Sequence, residues 1–295
     1  MEQVPRDQGA PDGVRDCYRH PGRPTGISCT RCERPICTDC MVSASVGFQC
    51  PECVRTGSGT GHRPDANRPR NLAGGAVADG DPVLVTKVLI ALNVAVYGLA
   101  FVLGDRFVDA LYLVGQAINP ATLQVEGVAQ GEWYRLLTAT FLHEDLVHIA
   151  FNMLALWVFG GMVERHLGRS RYLVLYLLSG LGGSVLAYLV AAPNQPSLGA
   201  SGAVFGLLGA VAVLSRRLRE DMRPIVILIV VYVIFSFRGG ISWEGHLGGL
   251  VTGVLVSAAL VFAPRERRRL VQYGGCALVL LVLLGASVVR SAALT

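Results

Sequence analysis

The chain has 295 residues, 52% of them hydrophobic and only 16% charged, with a mean hydropathy of +0.47. Soluble domains carry about 25% charged residues, so an ordinary aqueous enzyme is excluded. The net charge of +5 gathers in short basic clusters between apolar runs, which points to a membrane and not to nucleic acid as the partner. Residues 1–82 are polar, and long apolar runs fill 83–263. The pattern predicts a soluble module, a linker and an all-α polytopic membrane domain.

Seven of the eight cysteines lie between Cys17 and Cys53. The N-terminal stretch, residues 1–13, has no apolar core resembling a signal peptide and reads as disordered. Clustered cysteines on the reducing side of a membrane favour metal over disulfides. Their spacing forms four two-residue-spaced pairs: Cys17 with His20, Cys29 with Cys32, Cys37 with Cys40, and Cys50 with Cys53. Eight N/S ligands suffice for two tetrahedral Zn2+ ions. The short gap between the middle pairs favours interleaving, pairs one and three on one ion and two and four on the other, over sequential pairing. A module of this size, 14–55, has almost no apolar core, so bound metal must supply its folding energy. It resembles a B-box or a related cross-brace zinc finger. A cytosolic protein partner is expected for it, but nothing in the segment identifies one. Residues 56–82, rich in Gly, Pro, Asp and Asn, read as a flexible linker in which His62 is a solvated loop residue.

Seven apolar segments follow, at about 84–103, 146–164, 172–191, 201–215, 224–237, 246–263 and 272–290. The fourth and fifth are short against the roughly 20 residues a crossing helix needs. Arg165, Arg169, Arg171, Arg216, Arg217, Arg219, Arg223, Arg265, Arg267, Arg268 and Arg269 flank one side, against Arg106, Arg135 and Arg238 on the other. The positive-inside rule then predicts a cytosolic N-terminus and a C-terminus outside the plasma membrane. The last segment carries Cys276 and no polar constellation, and reads as structural.

The fourth segment opens with Gly199-Ala200-Ser201-Gly202 after a proline-containing loop. A serine at a helix N-terminus, beside free backbone N–H groups, is a nucleophile with part of an oxyanion hole attached. The string alone is weak. His246 stands at the same end of the sixth segment, and ionisable groups in spans are functional by default. Gly202-x3-Gly206 and Gly249-x3-Gly253 are small faces that permit close backbone approach, which brings Ser201 and His246 within reach. His148 and Asn152, i and i+4 on the second segment, share one face and offer donors to a developing oxyanion. Glu244 is too near His246 in sequence to orient it readily, so a Ser–His dyad is expected.

These residues resemble, over 83–265, the rhomboid intramembrane serine proteases. The match runs in family order through Glu132-Trp133-Tyr134-Arg135, His148-x3-Asn152, Gly160-Gly161 with Glu164, Gly199-Ala200-Ser201-Gly202 and His246-x2-Gly249-x3-Gly253. The resemblance implies Ser201 as nucleophile and His246 as general base, then acid, with no cofactor for catalysis. His148, Asn152 and the Ser201 N–H would form the oxyanion site, and Phe205 would pack on the imidazole. It further implies a large first loop at 104–145 bearing Trp133 and Arg135 at the membrane surface. A cap around Arg238-Gly239-Gly240 is also implied, with transmembrane protein substrates entering laterally near the fifth segment. The seventh helix, within 266–295, and the zinc module depart from the family core; the module reads as a regulatory or targeting appendage. His143 reads as a structural contact. Two rivals are a catalytically silent rhomboid-like binder of transmembrane segments and a membrane-anchored zinc adaptor. A transporter finds no support in paired intramembrane acids or internal repeats.

Overall fold

A computed structural model describes residues 15–56, 70–75, 80–119, 123–236 and 242–295, without the side chains of 235 and 236. The expectations for residues 1–13, His62 and Arg238-Gly239-Gly240 therefore fall outside the described residues. The chain divides into two compact units, residues 1–69 and 70–295.

In the first unit, β1 (Arg15–Cys17) pairs antiparallel with β2 (His20–Thr25), and β3 (Val42–Ser43) with β4 (Phe48–Gln49). A single helical turn, α1 (Pro51–Arg55), follows with proline in its first turn, where no N–H is needed, and the Cys50 sulfur accepting from the Cys53 N–H. The buried cluster consists of Cys17, Cys29, Cys37, Cys40, Cys50, Cys53 and Ile36. Ile36 is thus the sole buried hydrocarbon side chain of that cluster, and the core is made of ligands.

The second unit is helical. It comprises α2 (Leu84–Leu103), the short α3 (Asp105–Asp109), a hairpin of β5 (Ala117–Ile118) and β6 (Val125–Glu126), and α4 (Arg135–Thr138). Next come α5 (Leu146–Ala155), a π-helical turn (Leu156–Gly160) and α6 (Gly161–Leu167), which form one continuous span. The last five are α7 (Arg169–Val190), α8 (Ser201–Leu218), α9 (Arg223–Ser236), α10 (Trp243–Val261) and α11 (Arg268–Leu294). Among the described residues six helices are long and apolar enough to cross a membrane, and α9 is a shorter apolar helix. Several of these helices run a few residues beyond the apolar segments, because arginine-bearing ends such as Arg169 and Arg268 continue the helix into the polar layer.

The π turn has a geometric consequence. Asn152 and Glu164 are twelve residues apart, so a regular helix would set them about 120° out of phase at 3.6 residues per turn. The one extra residue of a π turn reduces this to about 20°, and both side chains are buried. Glu164 uses that placement to cap α2: its carboxylate accepts from the Val85 N–H at 2.9 Å and from the Thr86 N–H and hydroxyl at 2.8 Å each. Negative charge there satisfies N–H groups that the first helical turn leaves open.

Helices α7, α8 and α10 touch through glycine. A Cβ on Gly249 would overlap the Gly202 carbonyl, one on Gly253 would overlap Gly206, and one on Gly248 would overlap the Gly182 carbonyl. Backbones this close gain dispersion contacts that lipid tails cannot match. The first loop is pinned by Arg135, which is buried. Its Nε donates to Glu132 at 2.8 Å, and Nη1 donates to the carbonyls of Asp109 at 2.6 Å and Tyr112 at 3.0 Å.

Two sequence readings are corrected here. Residues 70–75, assigned to the flexible linker of 56–82, are packed: the Leu72 N–H donates to the His166 carbonyl at 3.0 Å, and Ala73 joins the main core cluster. The last helix does carry a polar constellation. Gln272, 2% exposed, donates to the carbonyls of Ala73 and Leu260 at 3.0 and 2.8 Å and accepts from Arg171 at 3.0 Å.

Candidate functional site

Ser201 is the first residue of α8, and its position is set from both sides. Gly199 has φ +133°, a conformation that side chains rarely tolerate, and its N–H donates to the Ala139 carbonyl at 2.9 Å. Ser197 and Leu113 exchange two backbone hydrogen bonds of 2.9 Å, which ties the entry loop to the first loop. Ala200, the residue before the helix, is fully buried and supplies no side-chain cap. The N–H groups of the first turn are therefore left for another acceptor.

Glycine at 199 also opens space. A Cβ there would lie 3.0 Å from both Cε1 and Nε2 of His148 and 3.6 Å from the Ser201 hydroxyl. The His148 ring and the serine oxygen thus both lie close beside Gly199, where a side chain would not fit without displacing the ring. His148 reaches this position from the first turn of α5, where Asp145 caps the helix by accepting the His148 N–H at 2.8 Å. Asn152, one turn on and buried, donates one amide hydrogen to the His148 carbonyl at 3.0 Å. Its amide nitrogen bears a second hydrogen.

His246 reaches the same region from α10. Its imidazole stacks on Phe205 with centroids 4.1 Å apart and planes inclined by 13°. Phe205 is one turn after Ser201, and its far side meets Tyr232 of α9 edge-on at 6.0 Å. The contacts of Gly202 with Gly249 and with the Gly245 carbonyl set the backbone beside Ser201 against the backbone beside His246. Ser242 caps α10 by accepting the Gly245 N–H at 3.2 Å and donates its own hydroxyl to Glu244 at 3.3 Å. The nearest acid in sequence is thus engaged at the helix start.

The structure places Ser201, His246, His148, Asn152, Gly199, Gly202, Phe205 and Gly249 toward one end of the bundle, and Gly253 about one turn further in, against Gly206. Trp133 lies elsewhere, partly buried in the cluster that seats the first loop on α7, and Arg135 pins that loop. Sequence reasoning missed Asp145, Tyr232 and Ser242. Asp145 had a readable signal, an acidic residue three before His148 at a helix start. Tyr232 had none.

In the first unit, Cys17, His20, Cys37 and Cys40 form one group, and Cys29, Cys32, Cys50 and Cys53 another. Within each, the ligand atoms lie within 4.8 Å of one another, the interleaved arrangement. His20 Nδ1 is 3.3 Å from the Cys37 sulfur and 3.4 Å from that of Cys40, and the Cys32 and Cys50 sulfurs are 3.7 Å apart. Tetrahedral metal–sulfur bonds of about 2.3 Å separate ligand atoms by roughly 3.8 Å, so both groups fit a metal ion of that size. Burial works to raise the Cys17 and Cys29 thiols. Backbone N–H groups and a neighbouring thiol outweigh it and pull both down to about 6, while burial and the neighbouring thiols push Cys40 up to about 11 and Cys53 to about 12.

Fold and site together define a polytopic helical membrane protein with a half-buried serine and histidine at the same end of two packed helices. Residues 130–263 match the Rhomboid domain. The chain is 38% identical over 148 residues to the putative rhomboid protease YdcA of Bacillus subtilis (strain 168), covering 48% of this chain and 74% of that protein. Rhomboid protease GluP of the same organism is 39% identical over 194 residues, and rhomboid protease AarA of Providencia stuartii 27% over 218. These alignments cover 62% and 63% of this chain, and 36% and 75% of the respective relatives. The chain belongs to the rhomboid family.

Proposed function

We propose that this protein is an intramembrane serine endopeptidase that cleaves single-span membrane proteins near the outer end of their transmembrane segment. Ser201 attacks the scissile carbonyl while His246 takes the hydroxyl proton and returns it to the leaving amine. The acyl-enzyme is then hydrolysed by water activated by the same imidazole. The N–H of Ser201, the His148 ring and the second N–H of Asn152 stabilise the oxyanion; losing one such donor costs about 2.7–4 kcal/mol of barrier. The observation that carries this reading is the setting of Ser201, at the start of a buried helix with His148 beside Gly199 and His246 stacked on Phe205, one turn after the serine.

In this reading the two four-ligand groups each hold a structural Zn2+, which supplies folding energy and no catalytic chemistry. The arginine bias supports a cytosolic N-terminus and a C-terminus outside the plasma membrane, an orientation in which the module would engage a cytosolic protein.

The decisive test compares wild type with Ser201→Ala in liposomes, on a single-span substrate with alanine and glycine near its outer end, read by product mass. Cleavage that vanishes in the variant supports the proposal. Cleavage that survives, or a wild type that binds such segments without cutting them, overturns it in favour of another nucleophile or a silent binder.

A further inference from the structure

His143 lies just before α5 and is 5% exposed, yet neither of its ring nitrogens has a hydrogen-bond partner among the described residues. Buried polar atoms left in this state are costly, and a native structure that keeps them calls for an explanation. If packing alone decided the position, phenylalanine would fill a similar volume without that cost. The ring stands edge-to-face against His148, with centroids 5.1 Å apart and an interplanar angle of 70°. His148 needs such support. Asp145 fixes its backbone at the helix start, but that bond leaves the ring free to turn about χ1 and χ2.

We infer that His143 is a positioning residue for His148: its imidazole holds the His148 ring beside Gly199, and of its own two nitrogens one donates to water and the other accepts from it. This rests on the proposed role of His148 in binding the oxyanion. The His143 imidazole is pushed down to about 4 by burial first and by the neighbouring His148 second, with the Phe141 backbone opposing them more weakly. The ring is therefore neutral at physiological pH, offering one donor and one acceptor.

The test uses the full-length protein in liposomes with three changes, His143→Phe, His143→Asn and Ser201→Ala, measuring kcat, KM and thermal unfolding for each. His143→Phe keeps the ring and removes both nitrogens. It is expected to be at least as stable as wild type, with kcat lowered between about 10- and 100-fold, the scale of a misplaced catalytic group, and KM unchanged. His143→Asn, which retains a donor and an acceptor, recovers part of that loss. Higher stability with lower turnover is the mark of a residue kept for function. If His143→Phe turns over at the wild-type rate, or if stability and kcat fall together in both His143 variants, the inference is overturned. A wild type that neither cleaves nor labels at Ser201 with a fluorophosphonate overturns the serine-hydrolase reading itself, and the inference with it. The two failures are thus distinguishable.

Discussion

The two units hold their buried interiors together by opposite means. In the first unit the buried cluster is six cysteines and one isoleucine, so cohesion is concentrated in two ligand groups. In the second, cohesion is spread along three helices through backbone-to-backbone glycine contacts, because lipid offers apolar side chains no advantage in meeting one another. Concentrated cohesion fails all at once when a ligand is lost. Distributed cohesion fails by degrees, according to how far an added atom forces two backbones apart.

The largest expected effect breaks that comparison from the side of the first unit. Structural zinc contributes about 10–16 kcal/mol of binding free energy in small fingers, far more than this module could recover elsewhere. Removing the metal with a strong chelator, or changing Cys37 to Ser, is expected to unfold residues 15–56 and leave the helical unit unfolding at its original temperature. Circular dichroism and proteolysis of the full-length protein in detergent report both. A module that keeps its hydrogen-exchange protection after complete chelation sinks the argument.

A smaller effect probes the second unit. Gly253→Val would drive a branched side chain into the Gly206 backbone, which has no rotamer to move. Overpacking costs about 1–3 kcal/mol where side chains can yield and more where they cannot. The expected result is a fall in unfolding temperature together with lost cleavage, since α8 and α10 carry Ser201 and His246. Gly285→Ala is the matched control: its Cβ would meet nothing within 4 Å, and helix propensity predicts a change of at most about 1 kcal/mol, in the stabilising direction. Equal damage from both changes would show that interhelical distance does not govern this unit.

How much of this was legible in the sequence follows from the range of each interaction. The ligand pairs were readable because a two-residue turn aims both side chains at one ion, a local constraint. The glycine faces and the His148–Asn152 face were readable because helical periodicity fixes which residues share a side. The π turn was not, since Leu156–Gly160 carries no local signal for an extra residue; only the shared burial of Asn152 and Glu164 reveals its use. Tyr232 against Phe205 is a meeting of two helices that no spacing announces. The docking of residues 70–75 escaped for a related reason: composition marks a linker, and the partner that orders it, Gln272, is some 200 residues away.

That docking orders the start of the helical unit, and Gln272 tests it. The side-chain oxygen accepts from Arg171 of α7, while the nitrogen donates to the carbonyls of Ala73 and of Leu260 in α10. One buried amide therefore fastens the strap at 70–75 to three helices with its bonding capacity nearly filled. Gln272→Leu keeps the volume and suits an apolar helix but leaves two carbonyls and one guanidinium N–H unpartnered, at a cost of about 1–3 kcal/mol. The expected outcome is a modest fall in the unfolding temperature of the helical unit and new protease sensitivity at 70–75, while the metal module is untouched. Should 70–75 stay protected in that variant, the strap is held by Leu72 and by the burial of Ala73, and the start of the unit is set by apolar packing after all. A turnover change beyond about threefold, larger than the roughly 0.6 kcal/mol that such a ratio represents, would mean that the strap, through Leu260 of the helix that bears His246, transmits strain to the site.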